Sequence, residues 1–407
     1  MKRRLPPILM TLVLVCALPI WAAFVTSGDV TNPLLTTAGA ASPPEPVEVR
    51  TADELQSNIT AGNSVKLMAD INITSTLKIS RSLTLDLNGC TLRMTGSGSV
   101  LKVSGRATLT ITDSSAAKSG TITGGNAEYG GGVYVDDYAA LKMTGGCITG
   151  CHASRGGGGI YSSGNLYMGG TAKIEKCTGS DDAIWNREKS DIYADGGTVD
   201  GTVNNQGTIK RSEGAAAVTV FNGTVYNRSA GKIEAGMYNG TVENNGTITG
   251  GTFYGAVMIR KGSLSWVSTG SISGGTFYGS IVNEAGPEQV TGGTFAVRFD
   301  TDGGSEIEPT MVKHSHTVRP PSDPEKSGHT FVGWEDADGA YDFSKSVIAP
   351  LTLTAKWEKN PSSGGYYYAP PAEQPIEAPK TADPGVALYG VLSLLSLTGL
   401  TCITKKR

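Results

Sequence analysis

Between Asp53 and Val297 apolar and polar residues alternate in short bursts separated by turn-forming residues. The stretch SVKLMADINITSTLKISRSLTLDLNGCTLRM shows the pattern: Val65 and Leu67, Ile71 and Ile73, Leu77 and Ile79, then Leu83, Leu85 and Leu87. A period of two puts one face of each burst in a core and the other in solvent, so the segment is predicted to consist of short strands without a sustained helix. Whole phrases also return. GGTFYG stands at 250–255 and again at 274–279, with GGTF at 292–295. GGGVY (130–134), GGGIY (157–161) and DDAIW (181–185) form a second series, and TVNNQGTI (202–209) and TVENNGTI (241–248) a third.

Repeats of variable length in which each unit fills the same slot above its neighbour are the mark of a solenoid. A coil of roughly 22 residues, made of three strands and three turns and stacked at about 4.8 Å, gives a right-handed parallel β-helix over residues 50–297. Ten or eleven such coils make a rod on the order of 50 Å long. In TITGGTFYG the alternation turns Ile248 inward, puts the glycines at a bend and returns Phe253 to the interior, with Phe277 and Phe295 stacked above it. Asn204, Asn205, Asn244 and Asn245 are expected at a corner, where their amides form ladders. The opening ADELQSNITAGNSVKLMADINITSTLKI with LTLDLNGCTL resembles the first coils of pectin-lyase-like β-helix proteins, and the GGGVY and GGGIY phrases are similar to repeats of bacterial β-helix surface adhesins. That resemblance speaks for fold rather than function.

After Ala296 the pattern changes. Residues 298–358 carry Phe299, Asp300, Gly303, Gly304, Pro321, Pro324, Lys326, Gly328, Phe331, Gly333, Trp334, Asp342, Phe343, Leu353, Ala355, Lys356 and Trp357. With Val297, these positions resemble the Listeria–Bacteroides repeat, the internalin B-repeat module, which implies a small β-grasp-like domain used for binding or spacing on surface proteins. Its five large aromatics supply most of a core for a domain of this size without disulfides. Residues 359–385 then read as a Pro/Gly/Tyr linker.

Both ends read as targeting segments. Residues 1–41 resemble a secretory signal peptide and leader, with cleavage after Ala22 or Ala40. At the other end, residues 386–407 combine the apolar run Val386–Ile403 with Lys405, Lys406 and Arg407. In a helix this run is long enough for a thin bilayer, and the basic tail would stay on the cytoplasmic side, so a terminal transmembrane helix is expected. With Pro379, Lys380, Thr381 and Ala382 ahead of it, the order resembles the cell-wall sorting signal of Gram-positive bacteria, which implies a sortase as partner. Ala378 and Ala382 replace the leucine and glycine of that signal, so retention as a membrane anchor is the other outcome. Either way the body is placed outside the cell, on the membrane or wall.

Composition narrows the function. The 407 residues include 55 glycines, only 17% are charged, and the formal net charge is −3. Without the basic ends the body is more acidic still, so no basic stripe points to nucleic acid. Aspartate pairs at Asp181–Asp182 and Asp136–Asp137 are the carboxylates that a polysaccharide hydrolase or a calcium-dependent lyase would need. However, the first pair falls where the repeat elsewhere has glycine, and the histidines and basic residues of the pectinolytic enzymes do not accompany it. Cys151 and Cys177, one coil apart, either stack reduced or bond, and Cys147, Cys151 and His152 lack a fourth zinc ligand. Tyr134, Tyr161 and Trp185, each beside an inward residue, form a candidate sugar-stacking strip. The expectation is a non-enzymatic surface protein without cofactor or metal. It would recognise glycan or a host or neighbour-cell surface through its β-helix; the alternative is a divergent polysaccharide lyase or glycoside hydrolase.

Overall fold

A computed structural model describes residues 45–180, 183–261 and 269–361. The chain from Val47 to Phe295 is a parallel β-helix with three strand-bearing faces. The first face is a ten-stranded parallel sheet from Leu77–Ile79 to Ile281–Asn283. The second runs from Val47–Val49 to Ser271–Ile272, and the third from Ile71–Ile73 to Phe295. Coil length is uneven. On the first face, successive strands begin at 101 and 133, a long coil, but at 242 and 257, a short one.

Stacking in register turns the sequence repeats into continuous columns. On the third face Ile71, Leu92, Ile122, Ile148, Ile174, Val199, Phe221, Tyr238, Phe253, Phe277 and Phe295 lie one above another. The upper part of this column is an aromatic ladder. Phe253 stacks on Tyr238 at 4.8 Å and on Phe277 at 4.7 Å, with interplanar angles of 9° and 7°. The recurring glycine follows from that ladder: a Cβ on Gly251, at φ +98°, would meet the Tyr238 ring at 3.2 Å and the Phe253 ring at 3.3 Å. Thus GGTFYG repeats because each ring needs a bare backbone beside it.

A second ladder is polar and buried. Asn186 donates to Asn205 at 2.8 Å, Asn205 to Asn227 at 2.8 Å, and Asn227 to Asn244 at 2.7 Å. Of the four asparagines expected at a corner, Asn205 and Asn244 belong to this column. Asn204 instead accepts from Arg228, and Asn245 is half-exposed outside it. A third, exposed ladder joins Asp200, Asn222 and Asn239.

The ends of the rod are closed. Ala52–Ala61 is an α-helix, where alternation alone predicted only strands. Its apolar signal is sparse, one pair at Leu55 and Ile59, but Thr51 and Glu54 form a reciprocal capping box that sets its start. Leu55 and Ile59 are buried, so the helix covers the apolar interior that the first coil would otherwise expose. At the other end the strand Thr294–Asp300 is shared. Thr294 and Phe295 pair with the last coil, whereas Val297–Asp300 pair in parallel with Leu351–Lys359 of the small domain. Its mixed sheet is completed by Thr310–Lys313 and His329–Asp336. Phe299 and Trp334 are buried and meet at 5.0 Å, and Phe331 bridges Trp334 and Trp357. No helix among the described residues is long and apolar enough to cross a membrane; residues 1–41, the linker from 362 and the expected anchor at 386–407 lie outside them.

Candidate functional site: the exposed faces of the rod

Tyr134, Tyr161 and Trp185 occupy one outward column of the first face, paired in register. Tyr134 stacks on Tyr161 at 5.0 Å and 24°, and Trp185 meets Tyr161 edge-on at 5.8 Å. Stacking along the rod has a consequence for ligand binding. A ring whose faces are covered by its neighbours offers only its edge, and a sugar stacks on a face. A fourth ring covers the column further: Tyr129 lies 4.9 Å from Tyr161 and 6.0 Å from Trp185. Tyr161 is consequently only 6% exposed. Gly156 leaves space for Trp185, since a Cβ there would lie 1.7 Å from the indole. The cluster is therefore packed, with Tyr134 and Trp185 half-exposed at its margins.

Charge surrounds this cluster. Lys102 sits over the Tyr134 ring at 4.6 Å and pairs with Asp136 at 3.3 Å, and Arg155 pairs with Glu128 at 2.9 Å. Burial, reinforced by Tyr161 and Asp136, raises the Tyr134 phenol above its ordinary value, so it remains a neutral hydrogen-bonding group. The buried Trp185 Nε1 has no hydrogen-bond partner among the described residues.

Alternation also turns a set of side chains outward on the second face. On the second face Lys142, Tyr167, Tyr193 and Lys210 make an outward column, with the two tyrosine rings 4.2 Å apart and nearly parallel. Lys210 covers Tyr193 at 4.9 Å while pairing with Asp191 at 2.6 Å. The segment after Lys210 is tied by the Ser212 hydroxyl and amide to Asp195 at 2.6 and 2.8 Å. The visible signal was the equal placement of Tyr167 and Tyr193 behind Leu166 and Ile192.

Asp181 and Asp182 lie outside the described residues, as do Pro379, Lys380, Thr381 and Ala382. Asp136 is engaged by Lys102, and Asp137 is exposed beside it in the same turn. Among the described residues no three His, Cys, Asp or Glu side chains gather as a metal site. Cys151 is buried while the adjacent His152 points outward to Thr178 at 3.0 Å, so they do not converge. Cys90, Cys147, Cys151 and Cys177 carry thiols rather than disulfides. A hydrogen bond with Cys177 lowers the Cys151 thiol, whereas burial pushes Cys147 up to about 11. In-register parallel neighbours stand about 4.8 Å apart, wider than the Cβ separation of about 3.8 Å that a disulfide prefers, which favours stacked thiols.

Comparison with known proteins bears on the small domain. Residues 295–356 match the Listeria-Bacteroides repeat domain, which agrees with the shared strand beginning at Thr294. Two proteins of Evansella cellulosilytica, one named as a membrane protein and one as a Gly-rich membrane protein, are each 36% identical over 70 residues. That stretch is 16% of this chain and only 10% and 8% of theirs. No solved structure matches the chain.

Proposed function

We infer that the protein is a non-enzymatic bacterial cell-surface protein whose β-helix is displayed for adhesion, recognising glycan or a host or neighbour-cell surface. The observation that carries this reading is the strand Thr294–Asp300, which makes the last coil of the rod and the first strand of the Listeria-Bacteroides repeat one continuous element. A rod joined without a hinge residue to such a repeat suits presentation at a distance from an envelope. The membrane naming of the two relatives and the expected signal and anchor segments support an envelope location. On this reading the C-terminal segment holds the chain in the membrane or, through a sortase acting at Thr381, in the wall.

The test is display of the full chain on a Gram-positive host. Adhesion of those cells to immobilised polysaccharides and to neighbouring cells should exceed that of cells with an empty vector. Equal adhesion on every surface would sink the recognition reading. Release of reducing ends that disappears in Asp181→Ala/Asp182→Ala would establish an enzyme instead. For the anchor, Thr381→Ala should move the protein from the wall to the membrane fraction if a sortase acts, and leave the fractions unchanged if the apolar span is retained.

A further inference from the structure

Three consecutive coils leave the first face by turns of unequal length. After Val135 the turn is Asp136–Ala139, and after Asn186 it is Arg187–Ser190. Between them, only Ser163 and Gly164 separate Ile160–Ser162 from the next strand. The shorter middle turn opens a notch of about 460 Å³, floored by Ser163–Gly164 and walled by Asp137 and Tyr138 on one side and Glu188 and Lys189 on the other. Its walls are two coil spacings apart, about 10 Å. A ring held at van der Waals distance from both walls, 3.5–4.0 Å on each side, needs about 7–8 Å, so one ring fits.

The wall residue Tyr138 holds the same left-handed turn position as Lys189 on the opposite wall, at φ +69°, but carries a large ring there. Its side chain is 85% exposed, and its φ is +64°. The hydrogen bond from the Ala139 amide to the Asp136 carbonyl, 3.2 Å, makes Tyr138 the third residue of a β-turn, a place that with positive φ favours glycine or asparagine. A tyrosine there carries backbone strain and recovers little of it by burial. Unlike the rings of the stacked columns, it is not covered by an aromatic neighbour among the described residues. The polar groups around it suit hydroxyls: Asp137 and Glu188 accept, Lys189 donates, and Ser163 does both. Two carboxylates against one ammonium disfavour an anionic ligand.

We propose that this notch binds a single uncharged pyranose unit of a glycan, stacked on Tyr138 and hydrogen-bonded by Asp137, Ser163, Glu188 and Lys189. This rests on the glycan-recognition reading above and names its site. Tyr138→Gly separates function from stability: it removes the stacking face while relieving the turn, so the melting temperature should hold or rise while affinity falls.

The experiment is calorimetric titration of the full chain with cellohexaose, chitohexaose and an oligogalacturonate. Expected is binding of at least one neutral hexaose, weakened about tenfold, or about 1.4 kcal/mol, by Tyr138→Gly and kept by Tyr138→Phe. If the wild-type protein binds and Tyr138→Gly binds equally well, the notch is wrong and glycan recognition stands elsewhere. Preference for the oligogalacturonate overturns the uncharged assignment. If no oligosaccharide binds, the notch falls together with the glycan form of the recognition reading.

Discussion

Replacing Asn227 by alanine should destabilise the middle of the rod by about 4 kcal/mol, because two buried neighbours depend on one amide. Asn227 is fully buried, accepts from Asn205 at 2.8 Å, and donates to Asn244 at 2.7 Å and to the Thr247 carbonyl at 3.3 Å. Without it, Asn205 retains a long bond to the Lys232 carbonyl at 3.4 Å, and the Asn244 carbonyl oxygen loses its donor. The stranded Asn244 oxygen costs about 1–3 kcal/mol, and the two other lost hydrogen bonds, from Asn205 and to Thr247, add about 1 kcal/mol each, about 4 kcal/mol together. Asn244→Ala makes the internal control. It removes two bonds, the one accepted from Asn227 at 2.7 Å and the one donated to the Ser271 carbonyl at 3.1 Å, but leaves the Asn227 amide bonded to Thr247 and strands no side-chain acceptor, so about 2 kcal/mol is expected. Urea unfolding of the full chain gives the difference, and native-state hydrogen exchange at Val225–Asn227 locates it, since solenoids open locally. Equal costs for the two variants, or a cost below about 1 kcal/mol for Asn227→Ala, would refute the additive reasoning.

Other outcomes follow from the same packing. Phe253→Ala should cost about 4–5 kcal/mol in urea unfolding, from an emptied core site and two lost ring stacks, and a cost near 1 kcal/mol would mean that the ladder collapses around the gap. Burial pushes the Asp113 carboxyl up, but bonds from Ser115, Gly120 and Gly89 outweigh it and hold the carboxyl below its ordinary value. Because the folded value is depressed, this stabilisation is present above the unfolded pKa near 4 and is lost as pH falls through the folded value. A plot of stability against pH should therefore fall on the acid side, and Asp113→Asn should flatten that fall. In a Cys16→Ser/Cys90→Ser/Cys402→Ser background, a maleimide at pH 7 should label the native protein far more slowly than the urea-unfolded one, because Cys151 and Cys177 are buried and Cys147 holds its proton to about pH 11. Equally rapid labelling of both would show that the coil around Cys147–Cys177 is open.

The all-β solenoid and the aromatic repeat module were legible in the sequence because both follow local rules. Alternation sets which residues face inward, and a repeated coil must repeat its choices; hence Phe253, Phe277 and Phe295 were placed together correctly from GGTF alone. The module was legible because a small core concentrates its large aromatics at fixed spacings, as Phe299, Trp334 and Trp357 do. The cap helix was not, since two apolar residues give little periodicity and its identity lies in the Thr51–Glu54 box and in the open coil end that it covers.

Which outward side chains remain free was a matter for tertiary structure alone. Alternation sends Tyr134, Tyr161 and Trp185 outward, but outward is not exposed: Tyr129, arriving from another strand, covers the middle ring. An asparagine ladder holding Asn205 and Asn244 was expected from the repeats, but Asn186 and Asn227 joined it only in three dimensions, because the column crosses coils of unequal length. The notch beside Tyr138 exists because one turn is shorter than the two that flank it. Sequence determined the rungs of this protein, since strand facing is a local property with a period of two; the third dimension decided its surfaces, since accessibility depends on what neighbouring coils, of any length, place alongside.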